Sequence, residues 1–213
     1  MTPFEPMIPF AGRRIFDSDE WSFELMYDGF RALLVIDELG VHFKSKRGSD
    51  LNKRLPELEQ IGKSLKVRSV VLDGEVIAGD GSIASFRSLL HRYSKFGITT
   101  LRPKERVPVK YVAFDVLLLN GAPFVNEPFK SRQQRLRKLI PKSTNGLVRA
   151  KSVIGAGSDL HAQAESRGFE GVIAKRLDSI YEPGKRSRNW LKVRIKVAST
   201  DETSRRNGKS RKK

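Results

Sequence analysis

The chain has 213 residues, 38% of them hydrophobic, and a formal net charge of +17. Its length suits one large domain, or one domain with a tail, and its charge selects a polyanion as partner, nucleic acid before an anionic membrane. The absence of cysteine excludes disulfides and cysteine-based zinc sites and fits a reducing cytoplasm. No stretch approaches the roughly 20 apolar residues of a membrane span. The N-terminus has no basic start followed by an apolar core, so it does not read as a signal peptide.

Residues 1 to 20 hold three prolines and no period, which predicts an extended arm packed on the body. Two apolar runs follow, Trp21 to Tyr27 and Phe30 to Ile36, around Asp28-Gly29. Such a pair predicts a β-hairpin with positive φ at both turn residues. A third strand is expected at Val41 to Lys44 and a helix from Leu55 to Leu65, where Leu55, Leu58, Ile61 and Leu65 recur near helical spacing. Val67 to Leu72 and Glu75 to Ala78 predict a second hairpin around Asp73-Gly74. A short helix is expected from Ser85 to Tyr93, then an exposed basic loop from Lys95 to Lys110. Val109 to Leu119 is the most apolar run and ends at a third turn signal, Asn120-Gly121. A strongly basic helix is expected from Phe129 to Ile140, stopped by Pro141, and another from Ser158 to Arg167 with Ser158 as N-cap. Strands at Val172 to Lys175 and Trp190 to Ile195 flank a turn-rich loop, Tyr181 to Arg186. Residues 197 to 213 carry six Lys or Arg, two acids and no aromatic, a composition that predicts a disordered basic tail after a domain of residues 1 to 196. Hairpins among helices predict an α+β domain of antiparallel sheets flanked by helices rather than a βαβ sheet.

Five further segments gather around the opening motif. Glu24-Leu25-Met26-Tyr27-Asp28-Gly29-Phe30-Arg31 is followed by Ser45-Lys46-Arg47-Gly48, Leu72-Asp73-Gly74-Glu75-Val76, Ala113-Phe114-Asp115-Val116-Leu117, Glu170-Gly171-Val172-Ile173-Ala174-Lys175 and Trp190-Leu191-Lys192-Val193-Arg194. In this order they resemble the covalent nucleotidyltransferases, and most closely the adenylation domain of ATP-dependent DNA ligases of the bacterial end-joining type. Tyr181 to Ser187 adds to that likeness. The family's opening motif is Lys-x-Asp-Gly-x-Arg, and here Met26 stands at the lysine position. The resemblance covers about residues 5 to 196.

The resemblance implies a chemistry. A lysine amine attacks the α-phosphate of ATP and releases pyrophosphate; the AMP then passes to a DNA 5′-phosphate, and a 3′-hydroxyl displaces it. The amine must be neutral, so cationic neighbours and a divalent metal lower its pKa. Carried onto this sequence, Phe114 offers a face to the base. Glu24 shares the face of residue 26 on an alternating strand and helps recognise adenine. Arg31 binds ribose or phosphate, and Lys175, Lys192 and Arg194 clamp phosphates. Glu170 is the leading ligand for Mg2+ (or Mn2+), and Glu75 holds the ribose or supports the metal. Lys46 stands where the family has Arg and lacks the bidentate fork; Arg194 stands where Lys is usual.

Met26 has no nitrogen to phosphorylate, yet it is close to lysine in length, so packing survives while the covalent step is lost. Either a naturally degenerate member or a deliberate Lys-to-Met replacement accounts for it. The expected partners are ATP and nicked or broken duplex DNA, with no membrane, in a cytoplasmic setting near the nucleoid. An OB-fold or repair partner would act in trans, because the segment after residue 196 is too short and polar to build one. A non-catalytic nucleotide- or nucleic-acid-binding module is the rival reading. An RNA ligase or capping-type nucleotidyltransferase shares the opening motif.

Overall fold

The computed structural model describes residues 4–94, 107–141 and 146–195. The expected loop Lys95 to Lys110 falls mostly outside these residues, and the tail from 197 falls wholly outside them. Two twisted sheets carry the fold. One contains β3 (Phe30–Asp37), β4 (Gly40–Ser45), β5 (Val70–Ala78), β6 (Val109–Leu119) and β7 (Ala122–Pro123) in the order β4-β3-β5-β6-β7, with β8 (Leu147–Arg149) parallel to β6. The other has five strands in the order β1-β11-β10-β2-β9, made of β1 (Ile8–Ala11), β2 (Ser18–Leu25), β9 (Ser152–Gly155), β10 (Gly171–Arg176) and β11 (Arg186–Arg194). All pairings are antiparallel except β1 with β11 and β6 with β8. The α+β architecture is therefore the expected one.

Alternation along the strands builds three apolar layers. Ala32 and Leu34 of β3 join Leu72 and Val76 of β5 and Tyr111 and Ala113 of β6 on the outer face of the six-stranded sheet. Leu58 and Ile61 of α1 (Glu57–Lys63), Leu89 of α2 (Ile83–Tyr93) and Leu136 of α3 (Phe129–Leu139) cover them. Leu33, Val35, Val71, Val112 and Phe114 point the other way and meet Met7, Tyr181 and Trp190 between the sheets. Phe23, Val172 and Ala174 form the third layer, with Leu160 and Ala164 of α4 (Gly157–Ser166). Among the described residues no helix is long and apolar enough to cross a membrane.

Two of the three Asp/Asn-Gly signals behave differently from the expectation. Asp28-Gly29 is not a hairpin: β2 lies in one sheet and β3 in the other, and neither residue has positive φ. Glycine is required there because a Cβ would run into the carbonyl oxygen of Val76. Asp73-Gly74 is not a turn either, since β5 runs unbroken through it from Val70 to Ala78. A Cβ at Gly74 would strike the buried ring of Tyr111, whose hydroxyl lies 3.0 Å from both the Ala32 and Leu72 carbonyls, which share its one hydrogen. Only Asn120-Gly121 makes a hairpin, between β6 and β7, with φ of 48° and 85°, as a type I′ turn demands.

Other expectations shift locally. The N-terminal arm forms a strand, β1, along β11. The helix at 158 begins at Gly157 instead, and Asp17 from the chain before β2 accepts the Ser158 N–H at 2.8 Å, so Ser158 is not the N-cap. The basic helix α3 buries Phe129, Arg132, Gln133 and Leu136 at helical spacing. Arg132 is thus no surface cation: it pairs bidentately with Asp115 of β6 at 2.8 and 2.9 Å, both side chains fully buried.

Gly74→Ala is expected to lower the unfolding free energy by about 1–3 kcal/mol, the usual cost of forcing an extra methyl into a packed core, measured by urea denaturation. An unchanged midpoint would mean that the Tyr111 ring yields freely.

Candidate functional site

The five-stranded sheet lays out the floor of a cleft of about 480 Å³. Its cleft face is fixed by register. Ser22, Lys175 and Trp190 form one row across β2, β10 and β11; Glu24, Ile173 and Lys192 form the next. In the third, the Met26 N–H donates to the Gly171 carbonyl at 2.9 Å, and Gly171 pairs with Arg194. Glycine is required at 171, where φ is 152° and a Cβ would run into the Val193 carbonyl of β11. The six-stranded sheet supplies the opposite wall through Arg31, Glu75 and Phe114, and Lys46 stands beyond β4. The structure thus brings Glu24, Met26, Arg31, Lys46, Glu75, Phe114, Glu170, Lys175, Lys192 and Arg194 to one cleft. Five of them, Glu24, Met26, Lys175, Lys192 and Arg194, follow from alternation along β2, β10 and β11.

Two buried ion pairs hold the walls. Lys175 Nζ donates to Glu24 Oε2 at 2.7 Å, with both side chains nearly inaccessible. The ammonium also lies 4.3 Å from the Phe114 ring centroid and 4.4 Å from that of Trp190. Burial draws the Lys175 pKa down, with Glu24 and Asp115 opposing it; burial pushes Glu24 up, with Lys175 opposing. Lys175, assigned from the resemblance to a phosphate clamp, therefore sits at the back of the cleft with its charge already answered. Arg31 grips Asp73 with two bonds of 2.6 Å, and burial of its guanidinium is outweighed by Asp73, which raises its pKa. Its Cζ lies 4.4 Å over Phe114. Phe114 is 9% exposed, and the two cations leave only part of its ring open to the cleft.

The mouth is different. Lys192 and Arg194 are partly or well exposed, and Lys46 and Arg186 stand with them. The Lys192 pKa is lowered by partial burial and by Arg194, with Arg186 and Lys46 adding to the effect. Arg194 bonds Glu170 at 3.2 Å. Three carboxylates crowd the same mouth. Burial, with Glu170 adding, raises Asp28 against the pull of Arg194. Burial pushes Glu75 up to about 8, with Arg31 opposing and Asp73, Asp28 and Glu170 adding. Carboxylates that push one another toward protonation are hard oxygen donors suited to a divalent cation. Among the described residues no three acidic or histidine side chains close into a ready-made cage.

Sequence reasoning missed Asp73, Ile173, Trp190 and Gln133. Ile173 was readable from alternation between Gly171 and Lys175. Gln133 was not, because its role depends on how α3 docks.

Residues 12–194 match the ATP dependent DNA ligase domain model. The chain belongs to this family. It is 32% identical over 191 residues to a DNA ligase of Thermococcus onnurineus, covering 85% of this chain and 33% of that protein. It is 29% identical over 194 residues to the multifunctional non-homologous end joining protein LigD of Mycolicibacterium smegmatis, covering 90% of this chain and 24% of that protein. The chain therefore spans a third or less of the length of these two curated relatives. Among solved structures, mycobacterial DNA ligase D complexed with ATP and MES superposes with a TM-score of 0.73 at 29% identity, over 90% of this chain and 60% of that one. The fold is thus that of an ATP-dependent DNA ligase adenylation domain.

Glu75 binds its proton more tightly in the fold than in the unfolded chain. Its contribution to stability is full below the unfolded value of 4.5 and is lost as pH rises through about 8. Without divalent cations, Tm is expected to fall across that window, and less steeply in Glu75→Gln. Identical slopes in the two proteins would show that Glu75 does not titrate there.

Proposed function

We propose that this chain is the nucleotide-binding half of a DNA break-sealing activity in repair or recombination, and that it binds ATP without forming the covalent lysine adenylate. The folded unit of residues 1 to 196 holds the nucleotide. The base enters between Ile173 on the floor and Phe114 on the wall, with Glu24 accepting from its exocyclic amino group. The triphosphate runs toward Lys192, Arg194 and Lys46 at the mouth. Glu170 and Glu75 would hold Mg2+, or Mn2+, which when bound neutralises phosphate charge. Arg31, fixed by Asp73, keeps the Phe114 wall in place and turns its remaining N–H groups to the ribose. Duplex DNA is the polymer substrate. The setting is cytoplasmic, and an OB-fold or a repair partner would complete the grip on DNA.

Met26 carries this reading. It is 6% exposed, continues the β2 ladder through its bond to Gly171, and lines the cleft. A thioether there packs as a lysine stem would, but offers no amine to phosphorus. The same observation favours a second reading, a binding module that kept the ligase fold.

Isothermal titration should show reversible, magnesium-dependent ATP binding, weakened about tenfold or more by Phe114→Ala, about the loss of one stacked aromatic contact. Intact mass spectrometry after long incubation with ATP and magnesium should show no AMP adduct on the unaltered protein and one AMP per chain on Met26→Lys. An adduct on the unaltered protein would overturn the reading. A Met26→Lys protein that binds ATP but never reacts would favour the binding module.

A further inference from the structure

We infer that Gln133, on helix α3, is a positioning residue that sets the base preference of the cleft by holding the Glu24 carboxylate as an acceptor. The inference rests on the nucleotide-binding reading above and adds to it a residue outside the cleft.

Gln133 does not line the cleft. It borders a separate void of about 10 Å³, room for one water at most, whose other walls include Glu24 and Phe114. Those two side chains therefore stand between Gln133 and any ligand. From behind, Gln133 Nε2 donates to Glu24 Oε1 at 3.1 Å and shares its second hydrogen with Ser152 Oγ at 3.2 Å and Ser22 Oγ at 3.5 Å. Lys175 holds the other oxygen, Oε2, at 2.7 Å. Each oxygen is fixed by one donor and keeps a free lone pair, so the carboxylate is locked in place and still open to a ligand donor.

The chemistry of that lock decides the base. An ionised carboxylate only accepts hydrogen bonds. It suits a purine with an amino group at position 6 and repels one with a carbonyl there. A protonated carboxyl donates and reverses the preference. Burial of Glu24 pushes toward the protonated form, and Asp115 of β6 adds to it; Lys175 of β10 and Gln133 of α3 oppose it. Asp115 itself is paired with Arg132. Arg137 and Arg149 border the void on the remaining side. Gln133 is thus the neutral donor that keeps Glu24 an acceptor without adding a charge next to Lys175.

The test uses the whole chain with magnesium and three probes: ATP, inosine triphosphate, which carries a carbonyl at position 6, and inorganic tripolyphosphate. Gln133→Ala and the near-isosteric Gln133→Met are compared with the unaltered protein by titration calorimetry, with circular dichroism to confirm folding. The ATP-over-inosine-triphosphate preference should fall about tenfold in both variants, the size of one hydrogen bond to a charged group, while tripolyphosphate affinity stays the same. An unchanged preference, or equal weakening of all three probes, would overturn the assignment. If the unaltered protein binds tripolyphosphate but shows no preference between the nucleotides, Gln133 loses this role while the phosphate half of the reading stands. If it binds no ATP at all, both fall together.

Discussion

The carboxylate of Asp73 joins parts of the chain that would otherwise be free to separate. It is fully buried, which is tolerable only because every direction is answered. Arg31 from the neighbouring strand donates twice at 2.6 Å, and the Tyr181 hydroxyl donates at 2.6 Å from the loop before β11. The same hydroxyl accepts the Met7 N–H at 2.8 Å from the arm before β1. One side chain therefore ties β3, β5, the N-terminal arm and the loop feeding the second sheet. The two sheets are held at the spacing that leaves a cleft between them. Breaking a buried pair of this kind costs about 3–5 kcal/mol because the survivor is left uncompensated. The geometry of the site is thus subordinate to a contact that touches no phosphate.

This explains a pattern in what was legible. Asp28-Gly29 and Asp73-Gly74 read as turns by local rules, yet in both the glycine answers a tertiary demand. Another chain element passes where its side chain would be, the Val76 carbonyl in one case and the Tyr111 ring in the other. Asn120-Gly121 lies on the surface, where nothing competes with local preference, and there the rule held. A dipeptide signal reports backbone freedom in the absence of neighbours. Two of the three pairs have neighbours.

The site was legible for a related reason. Motifs on strands alternate, so Glu24 with Met26, and Lys192 with Arg194, point to one face whatever the strands pair with. The sequence order of the motifs then brought the rest. Lys175 shows the limit of that reasoning. Its position in the cleft followed from the pattern, but its burial and its pairing with Glu24 did not. Arg132 and Gln133 show the limit more sharply. In sequence they belong to a strongly basic helix; in the fold they are the inward face of α3. Composition cannot say which face of a helix is buried when both carry polar residues. The register of α3 against β6 decides it, and the Arg132–Asp115 pair sets that register.

Electrostatics give Met26 a second meaning. The cleft already holds Arg31, Lys175, Lys192, Arg194 and Lys46, of which only Lys175, Arg31 and Arg194 have a carboxylate partner among the described residues. A lysine at position 26 would add a cation where the side chain is 6% exposed. Such a group costs stability through burial and through repulsion, and that cost is what turns an amine into a nucleophile near neutral pH. On the reading proposed above, methionine in place of lysine would remove that cost and the reactivity together. The thioether fills the same volume, the β2 ladder is undisturbed, and the carboxylates at the mouth keep their mutual repulsion. Loss of the amine and retention of the pocket are compatible because the scaffold that shapes the cleft, from Asp73 through Arg31 to Phe114, makes no use of residue 26.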